Sequence, residues 1–421
     1  MVNPFLGVPV GDYVRDAAAV VLLFAMLGKP WDVDGDASGH WWVVLSALVA
    51  VTSVAVPYVA KARAVPGLGP DQALLLKIGL NVPLLVSAFA AVVNDLVHAT
   101  DILEGGIGSA VGIALTGSVL AVQPRAADED THHRDDPRWW AVTTTVAVAA
   151  VVLTVVTFVA FVLRDLTGDG FLLDEPVFFL SLVVGALVLT LVLLGWPVSS
   201  VLGRNFPGLL GLATVGFTFV VVDLLTTGDG LFGGTYVARW DSPDGGLLLV
   251  GAAAGLAVSR PALRTVTPPQ HPVHPWLLTA RLALHVAAAG SIVLALYYVL
   301  VMVYGEEVLA VLVISIVLLG VSAGLCFTAA SLLTGATLNR LSFVSLAVAP
   351  AVIGVIVTAV LHSSDLGILL SPQSAATLLS LPVLAVAALT APGVIRRTYG
   401  PLLPERQPPA PGAYHQPPPS G

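Results

Sequence analysis

Twelve apolar stretches, most of them close to 20 residues long and separated by short polar or Gly/Pro-rich breaks, make up most of the sequence. An α-helix needs about 20 such residues to cross a bilayer. Composition agrees, because 57% of the residues are hydrophobic and only 10% are charged, against roughly 25% charged in soluble domains. The sequence therefore predicts an all-α, polytopic transmembrane helical bundle of about 12 spans. The predicted spans cover residues 13–31, 41–60, 81–99, 106–122, 140–163, 177–196, 207–225, 246–259, 276–303, 308–333, 341–361 and 374–395.

The distribution of Lys and Arg predicts the orientation of these spans. Of the 18 Lys and Arg residues, Lys29, Arg164 and Arg239 fall on one side of the predicted membrane and all the others fall on the opposite side. Basic residues concentrate in cytoplasmic loops. We therefore expect a multi-pass protein of the cytoplasmic (cell) membrane, with both its N- and C-termini in the cytoplasm. The lipid bilayer is its expected surrounding, and nothing in the sequence predicts a nucleic-acid partner.

Two landmarks recur with nearly the same period and predict an internal repeat. Asparagines stand at the predicted inner starts of the third, seventh and eleventh spans, where they are suited to cap a helix, and aspartates follow the outer ends of the same spans. The asparagines are Asn81, Asn205 and Asn339, spaced by 124 and 134 residues, and the aspartates are Asp101, Asp229 and Asp365, spaced by 128 and 136. We therefore expect three tandem four-helix units in one orientation.

The repeat and the composition of the C-terminus together predict four segments. Residues 1–125, 126–264 and 265–397 form membrane units 1, 2 and 3, each with four helices, and residues 398–421 form a disordered, Pro-rich cytoplasmic tail. Eight prolines in the last 21 residues give a segment that cannot bury a core. The tail is a candidate docking segment for a protein partner in the cell envelope.

Polar residues near the outer ends of the spans form the candidate binding site. Ionisable groups within a membrane are costly and usually functional, and Asp95 and His98 share one helical face. A proton or cation site is one interpretation of this outer-mouth polar cluster; simple termination of helices is the other. Its members are Asn94, Asp95, His98, Asp101, Asp223, Asp229, His362 and Asp365.

An enzymatic function finds little support in the sequence. Asp32, Asp34 and Asp36 follow the first predicted span, as an acidic pair does in lipid-linked glycosyltransferases, but no sizeable external domain accompanies them. His132 and His133 lie in a mixed-charge inner loop that is typical of a solvated segment. No P-loop, serine-hydrolase, HExxH or dinucleotide-binding pattern occurs in a credible context. We therefore predict no catalytic residue, no metal site and no cofactor.

The opening stretch carries a resemblance to a known group of proteins. The sequence "NPFLGVPVGDYVRDAAAVVLLFAMLGKPW" places Arg15-Asp16 at the entrance of the first helix and Pro30-Trp31 at its exit. It resembles uncharacterised actinobacterial multi-pass membrane proteins that are grouped as a domain of unknown function, and the similarity extends through the helical region. The resemblance implies a membrane location, without an established activity or functional residues.

Three functions remain open from the sequence. One is transport of a small solute, because sites in transporters built from repeats lie between the repeats. Another is a non-catalytic membrane scaffold or accessory subunit of the cell envelope. A lipid-linked glycosyltransferase is the third and least favoured. A polar cavity between the units would favour transport, whereas a closed, apolar interior would favour a scaffold.

Overall fold

The computed structural model describes most of the helical region in ranges separated by short gaps. These ranges are residues 8–32, 35–97, 107–125, 137–167, 176–225, 237–238, 247–266, 271–304, 309–333, 340–362 and 371–399. The tail predicted at 398–421 lies almost entirely outside them, as do the inner loop with His132 and His133 and the aspartate at position 34.

The described chain is an all-α helical bundle, as predicted. Units 1, 2 and 3 denote the three segments that the sequence predicts. Unit 1 contains α1 (Val10–Ala25), α2 (Trp41–Thr52), α3 (Val56–Lys61), α4 (Pro70–Val97) and α5 (Ser109–Val122). Unit 2 contains α6 (Pro137–Thr167), α7 (Pro176–Leu202), α8 (Phe206–Leu225), α9 (Leu247–Ala257) and the short α10 (Arg260–Arg264). Unit 3 contains α11 (His274–Tyr304), α12 (Leu309–Leu332), α13 (Arg340–His362), α14 (Pro372–Ala375) and α15 (Leu381–Thr390). A last helix, α16 (Gly393–Tyr399), begins within unit 3 and ends just beyond its predicted boundary at residue 397.

Nine helices within the described ranges are long and apolar enough to cross a membrane. All twelve predicted spans are helical, but three of the helices are shorter than these nine: α1 has 16 residues, α5 has 14 and α9 has 11. The protein is thus a membrane-embedded bundle. The nine are Trp41–Lys61, Pro70–Val97, Arg138–Leu163, Val183–Leu202, Phe206–Leu225, His274–Val303, Ala310–Leu332, Val344–Leu361 and Gln373–Thr390.

Two of these spans contain an irregular turn. A 3₁₀ turn, Ser53–Ala55, joins α2 to α3 just before Pro57, and a π-helical turn, Ala376–Ser380, joins α14 to α15 just before Pro382. Proline lacks the N–H that a continuous helix would need at that position. Each irregular turn therefore accommodates a proline without ending the span.

The helices of each unit contact one another in the same order. In unit 1, α1 contacts α2 and α5, while α4 contacts α2 and α5. In unit 2, α6 contacts α7 and α9, while α8 contacts α7 and α9. In unit 3, α11 contacts α12 and α15, while α13 contacts α12 and α15. This order agrees with the predicted repeat, whose helix-for-helix superposition stays a prediction.

One landmark of the predicted repeat is wrong. Asn81 does not begin a helix, because α4 starts eleven residues earlier at Pro70. Asn205 directly precedes α8, in agreement with a position at a helix start, and the third asparagine, at 339, lies just outside the described residues. The apolar run begins near Asn81 because Lys77 and Gly79 lower the hydropathy before it. The helix itself continues through them.

Glycines allow neighbouring helices to pack backbone against backbone. A Cβ atom on Gly216 of α8 would lie 2.5 Å from the carbonyl oxygen of Val250 in α9. A Cβ on Gly354 of α13 would lie 2.4 Å from the carbonyl oxygen of Leu378. Such small-residue contacts are typical of helix association in membranes. The third and fourth spans of units 2 and 3 are therefore in direct backbone contact.

Short strands tie units 1 and 2 together beyond the ends of α1 and α8. Strand β1 (Pro30–Asp32) pairs with β2 (Gly35–Asp36), and β3 (Ile107–Gly108) pairs antiparallel with β4 (Val237–Ala238) from unit 2. Strand β1 also contacts β3 so closely that a Cβ on Gly108 would lie 1.8 Å from the carbonyl oxygen of Pro30. Only glycine fits at this crossing.

Candidate functional site

The structure describes only part of the predicted outer-mouth polar cluster. Asn94 and Asp95 lie in the last turns of α4, where Asn94 is exposed and Asp95 is buried. Asp223 lies near the end of α8, and His362 is the last residue of α13. The remaining members, His98, Asp101, Asp229 and Asp365, lie outside the described residues. The site as predicted therefore remains a prediction.

Asp223 has a neighbour that the sequence did not associate with it. Lys29, a residue beyond the end of α1 with little exposed surface, lies within electrostatic reach of Asp223 in unit 2 and of Asp36. Burial lowers the pKa of Lys29, and the two carboxylates oppose this effect. The charge of Lys29 is thus attracted by carboxylates from two units.

The described part of the first outer loop is organised as a turn. Asp32 Oδ1 accepts a hydrogen bond from the backbone N–H of Gly35 at 3.2 Å, and His40 Nε2 lies 3.3 Å from the same oxygen. Within the described ranges, no group of three His, Cys, Asp or Glu side chains is arranged to hold a metal ion. These two contacts indicate that Asp32 stabilises the turn.

A second polar cluster, which the sequence did not predict as a site, lies at the inner end of units 1 and 2. The inner end is the one that the basic residues predict to face the cytoplasm. We call this group the inner cluster; its side chains come from α1, the α2–α3 junction, α3, α4, α10 and the residues after α5. Its members are Asp12, Arg15, Asp16, Ser53, Tyr58, Lys77, Asn81, Gln123, Arg125 and Arg260.

A buried ion pair joins the two ends of unit 1. The Nε and Nη2 atoms of Arg125 each lie 2.6 Å from Asp16 Oδ1, and the hydroxyl of Tyr58 donates a hydrogen bond to Asp16 Oδ2. Arg125 also donates to the carbonyl oxygens of Gln123 and Leu120, at 2.8 Å each. Only 1% of the Arg125 side chain is exposed. The carboxylate and the carbonyls supply the hydrogen bonds that a buried guanidinium requires.

Lys77 and Asn81 extend this cluster along α4. Lys77, which is fully buried, donates from Nζ to the carbonyl oxygen of Gln123 at 2.9 Å. Asn81 donates from Nδ2 to Ser53 Oγ and to the carbonyl oxygen of Lys77, also at 2.9 Å. Lys77 is one of the basic residues that predict the inner side, and its side chain points into the protein.

Arg15 and Asp12 connect α1 to unit 2. Arg15 donates from Nη2 to the carbonyl oxygen of Val258 at 3.2 Å and lies 3.7 Å from Asp12 Oδ1. Asp12 Oδ2 in turn lies 3.2 Å from Nη2 of Arg260. Gln123 adds another connection, because its Nε2 donates to the carbonyl oxygen of Gly255 at 2.7 Å. The inner cluster therefore bridges units 1 and 2.

The ends of two helices explain why cationic side chains gather here. The last carbonyls of a helix have no partner within it and carry a partial negative charge. Helices α5 and α9 both end at this cluster. Arg125 and Lys77 donate hydrogen bonds to carbonyl oxygens at the end of α5. Arg15 and Gln123 donate to carbonyl oxygens at the end of α9. The cluster thus provides side-chain caps for two buried helix ends.

Sequence reasoning missed this cluster because its pairs are distant in the chain. Arg125 was counted among the basic residues of an inner loop, yet its partner Asp16 is 109 positions away. One signal was present. Arg15 and Asp16 stand beside a long apolar run, where charged side chains are rare unless they have partners.

One comparison with known proteins gives a match that covers nearly the whole helical bundle. The family model of a domain of unknown function, DUF7937, matches residues 12–398, which include every described helix from α2 to α15 and most of α1 and α16. No curated protein and no solved structure matches the chain. The chain belongs to the DUF7937 family.

Proposed function

We propose that this protein is a non-catalytic membrane scaffold, an accessory subunit of the cell envelope whose helical units keep a fixed relative position. The observation that carries the proposal is the contact between units 1 and 2 at three depths. Alternating access in repeat transporters requires one unit to rock against another around the site. We call the contact between units 1 and 2 the seam. Contacts at its inner end, in its middle and beyond its outer end favour a rigid body.

At the inner end, the inner cluster holds this seam through side-chain hydrogen bonds. Gln123 donates to the carbonyl oxygen of Gly255 at 2.7 Å, and Arg15 donates to that of Val258 at 3.2 Å. The ion pair between Asp12 and Arg260 also crosses from α1 to α10. Breaking these contacts would leave charged groups and helix ends without partners in a poorly hydrated place.

In the middle of the seam, α5 packs directly on α9. A Cβ on Gly251 would lie 2.2 Å from Oγ1 of Thr116, and a Cβ on Gly112 would lie 3.5 Å from the backbone of Leu248. The hydroxyl of Thr116 donates to the carbonyl oxygen of Gly112 in its own helix at 2.8 Å. This part of the seam is close-packed.

Beyond the other ends of these helices, backbone pairing joins the units. Ile107 of β3 pairs with Ala238 of β4, and Gly108 pairs with Val237. Lys29 lies near the carboxylate of Asp223 in unit 2. Together with the inner contacts, these interactions support units 1 and 2 moving as one body.

Distance measurements between spin labels test the proposal. We expect one narrow distance distribution for a pair of cysteines at Val65 and Leu263 on the inner side, and one for a pair at Trp41 and Leu225 on the outer side, in proteoliposomes. All four positions are exposed. Cys326, the only natural cysteine, is replaced by Ser in these chains. Two populations in which one side opens while the other closes would contradict a scaffold.

Transport of a small solute is the second candidate, because two polar atoms favour it. Asn81 Oδ1 and Gln123 Oε1 are buried and have no hydrogen-bond partner among the described residues. Their amide nitrogens donate to oxygen acceptors, which fixes the orientation of both side chains. A polar solute that donates hydrogen bonds would satisfy them. The two-population result described above would favour this candidate.

The scaffold also needs a defined orientation in the membrane and a protein partner. We propose that the inner cluster faces the cytoplasm of the cell membrane, where the Pro-rich segment 398–421 is available to an envelope protein. Proline-rich segments dock in aromatic grooves with a low cost in conformational entropy. Removing residues 401–421 is expected to release such a partner while leaving the membrane insertion and thermal stability of the bundle unchanged, as measured in membranes and in detergent.

A further inference from the structure

We propose that the inner end of the seam between units 1 and 2 binds a phosphate group through Arg15 and Arg260, either the headgroup phosphate of an anionic phospholipid or a free phosphate ion. This binding site goes beyond the scaffold role and does not depend on it. The proposal rests on how the charged groups of the inner cluster share their partners.

The two carboxylates of the inner cluster do not lie equally close to its three guanidinium groups. Asp16 is engaged by Arg125 at 2.6 Å and by the hydroxyl of Tyr58. Asp12 is shared, at 3.2 Å to Arg260 and 3.7 Å to Arg15. Charge-assisted hydrogen bonds between such groups are usually about 2.7–2.9 Å long. The carboxylates thus engage Arg125 closely and Arg15 only at long range.

The other contacts of Arg15 are also long. Its Nη2 lies 3.2 Å from the carbonyl oxygen of Val258, and its Nη1 lies 3.5 Å from that of Pro124. The guanidinium groups of Arg125 and Arg260 repel its charge and the carboxylates of Asp12 and Asp16 attract it; among these four groups, Arg125 has the largest effect. A guanidinium has five N–H donors in a planar fork. Arg15 therefore presents donor capacity and positive potential that an oxyanion would stabilise.

Exposure restricts where such an anion can bind. Arg125 and Lys77 are almost completely buried, whereas the side chains of Arg15 and Arg260 are 11% and 20% exposed. These two arginines belong to different units and share Asp12. Arginine forks bind phosphate oxygens in pairs. A phosphate at the exposed edge of the cluster would contact both side chains and link the two units.

The position of the cluster favours a phospholipid as the source of the phosphate. Arg15 lies in the second turn of α1, and Arg260 follows the end of α9. Both are at the inner ends of membrane helices, where basic pockets between helices bind anionic headgroups. A free phosphate from the aqueous side would use the same donors. The experiment must therefore distinguish the two sources.

Native mass spectrometry of the purified full-length chain tests the proposal. The probes are short-chain phosphatidylglycerol, short-chain phosphatidylcholine as the zwitterionic control, and inorganic phosphate. We expect the wild-type chain to retain phosphatidylglycerol in preference to phosphatidylcholine. Arg15→Gln and Arg260→Gln should each weaken this retention about tenfold, which corresponds to the loss of a charge-assisted hydrogen bond. Arg281→Gln, at an exposed arginine of α11, should have little effect.

The outcomes of this experiment distinguish the two sources of phosphate and test whether the site exists. Binding of inorganic phosphate with the same dependence on Arg15 and Arg260 would support the site and identify a free ion as the ligand. Equal retention of both lipids, or equal effects of all three substitutions, would overturn the proposal. If Arg15→Gln does not yield folded protein, the more exposed Arg260→Gln carries the test, with gel filtration as the folding control.

Discussion

Arg125 and Asp16, 109 positions apart in the sequence, form a buried ion pair in which Nε and Nη2 of the arginine each lie 2.6 Å from one carboxylate oxygen. This pair fixes the residues after α5 against the second turn of α1. The same arginine donates to two backbone carbonyls. It therefore has a structural role that a basic residue in a solvated loop would not have.

Removal of one partner of this pair is expected to destabilise the protein strongly. Asp16→Ala leaves the Arg125 guanidinium buried without its carboxylate, so we expect a loss of about 3–5 kcal/mol in the free energy of unfolding. Unfolding in mixed micelles with increasing SDS measures the effect. Asp71→Ala, at an exposed position in the first turn of α4, is the control. Equal effects of the two substitutions would show that the buried pair has no special importance.

Replacement of both partners should be milder. The double variant Asp16→Leu, Arg125→Met removes the desolvation cost of both charges. We expect it to recover more than half of the stability that Asp16→Ala loses, in the same SDS titration. A double variant as unstable as the single one would indicate that hydrogen bonds from Arg125 to the helix end, and not the ion pair, dominate.

The backbone contact between α8 and α9 makes another prediction. Gly216→Ala places a Cβ atom 2.5 Å from both the Val250 carbonyl oxygen and the Ala254 Cβ, so the helices must separate, at a cost of about 1–3 kcal/mol. Thermal unfolding in detergent measures the loss. Gly320→Ala is the matched control, because nothing lies within 4 Å of its added Cβ. Gly216→Ala with unchanged stability would contradict the close approach.

A hydroxyl pair between units 2 and 3 makes another, smaller prediction. Thr218 Oγ1 and Ser380 Oγ form a hydrogen bond of 2.7 Å across 162 positions of the chain, and Thr218 Oγ1 also lies 2.7 Å from the carbonyl oxygen of Thr214 in its own helix. A double-mutant cycle with Thr218→Val and Ser380→Ala should give a coupling energy of about 0.6 kcal/mol, the average for such bonds in membranes. Thr328→Val, whose hydroxyl bonds only its own helix at Gly324, should show no coupling to Ser380→Ala.

The orientation is tested by chemical labelling. In a Cys326→Ser background, a cysteine at Thr227 should react with a membrane-impermeant maleimide in intact cells. A cysteine at Ala126 should react only after the cells are permeabilised, because the excess of basic residues places its loop inside. The reverse pattern would invert the topology and place the inner cluster on the outer side.

The sequence predicted the helical architecture well because hydropathy is a local property. Each long apolar run is helical, and the helices contact one another in the same order in all three predicted units, whose bounds stay a prediction. The start of α4 was placed eleven residues too late because Lys77 and Gly79 interrupt the apolar run that predicts the span. The burial of Lys77 depends on the carbonyl of Gln123, 46 positions away, and one sequence contains no signal for such a pair. The same reason explains why the inner cluster was missed.

The lengths of α5 and α9 have a consequence for the interior of the bundle. With 14 and 11 residues, they extend only about 21 and 16 Å, at about 1.5 Å per residue, whereas the hydrocarbon core is about 30 Å thick. Their described residues are all buried or half-buried, and longer helices such as α4 and α6, with 28 and 31 residues, carry the exposed apolar side chains. The apolar layer is therefore thinner along the inside of the seam than at the surface that faces the lipid.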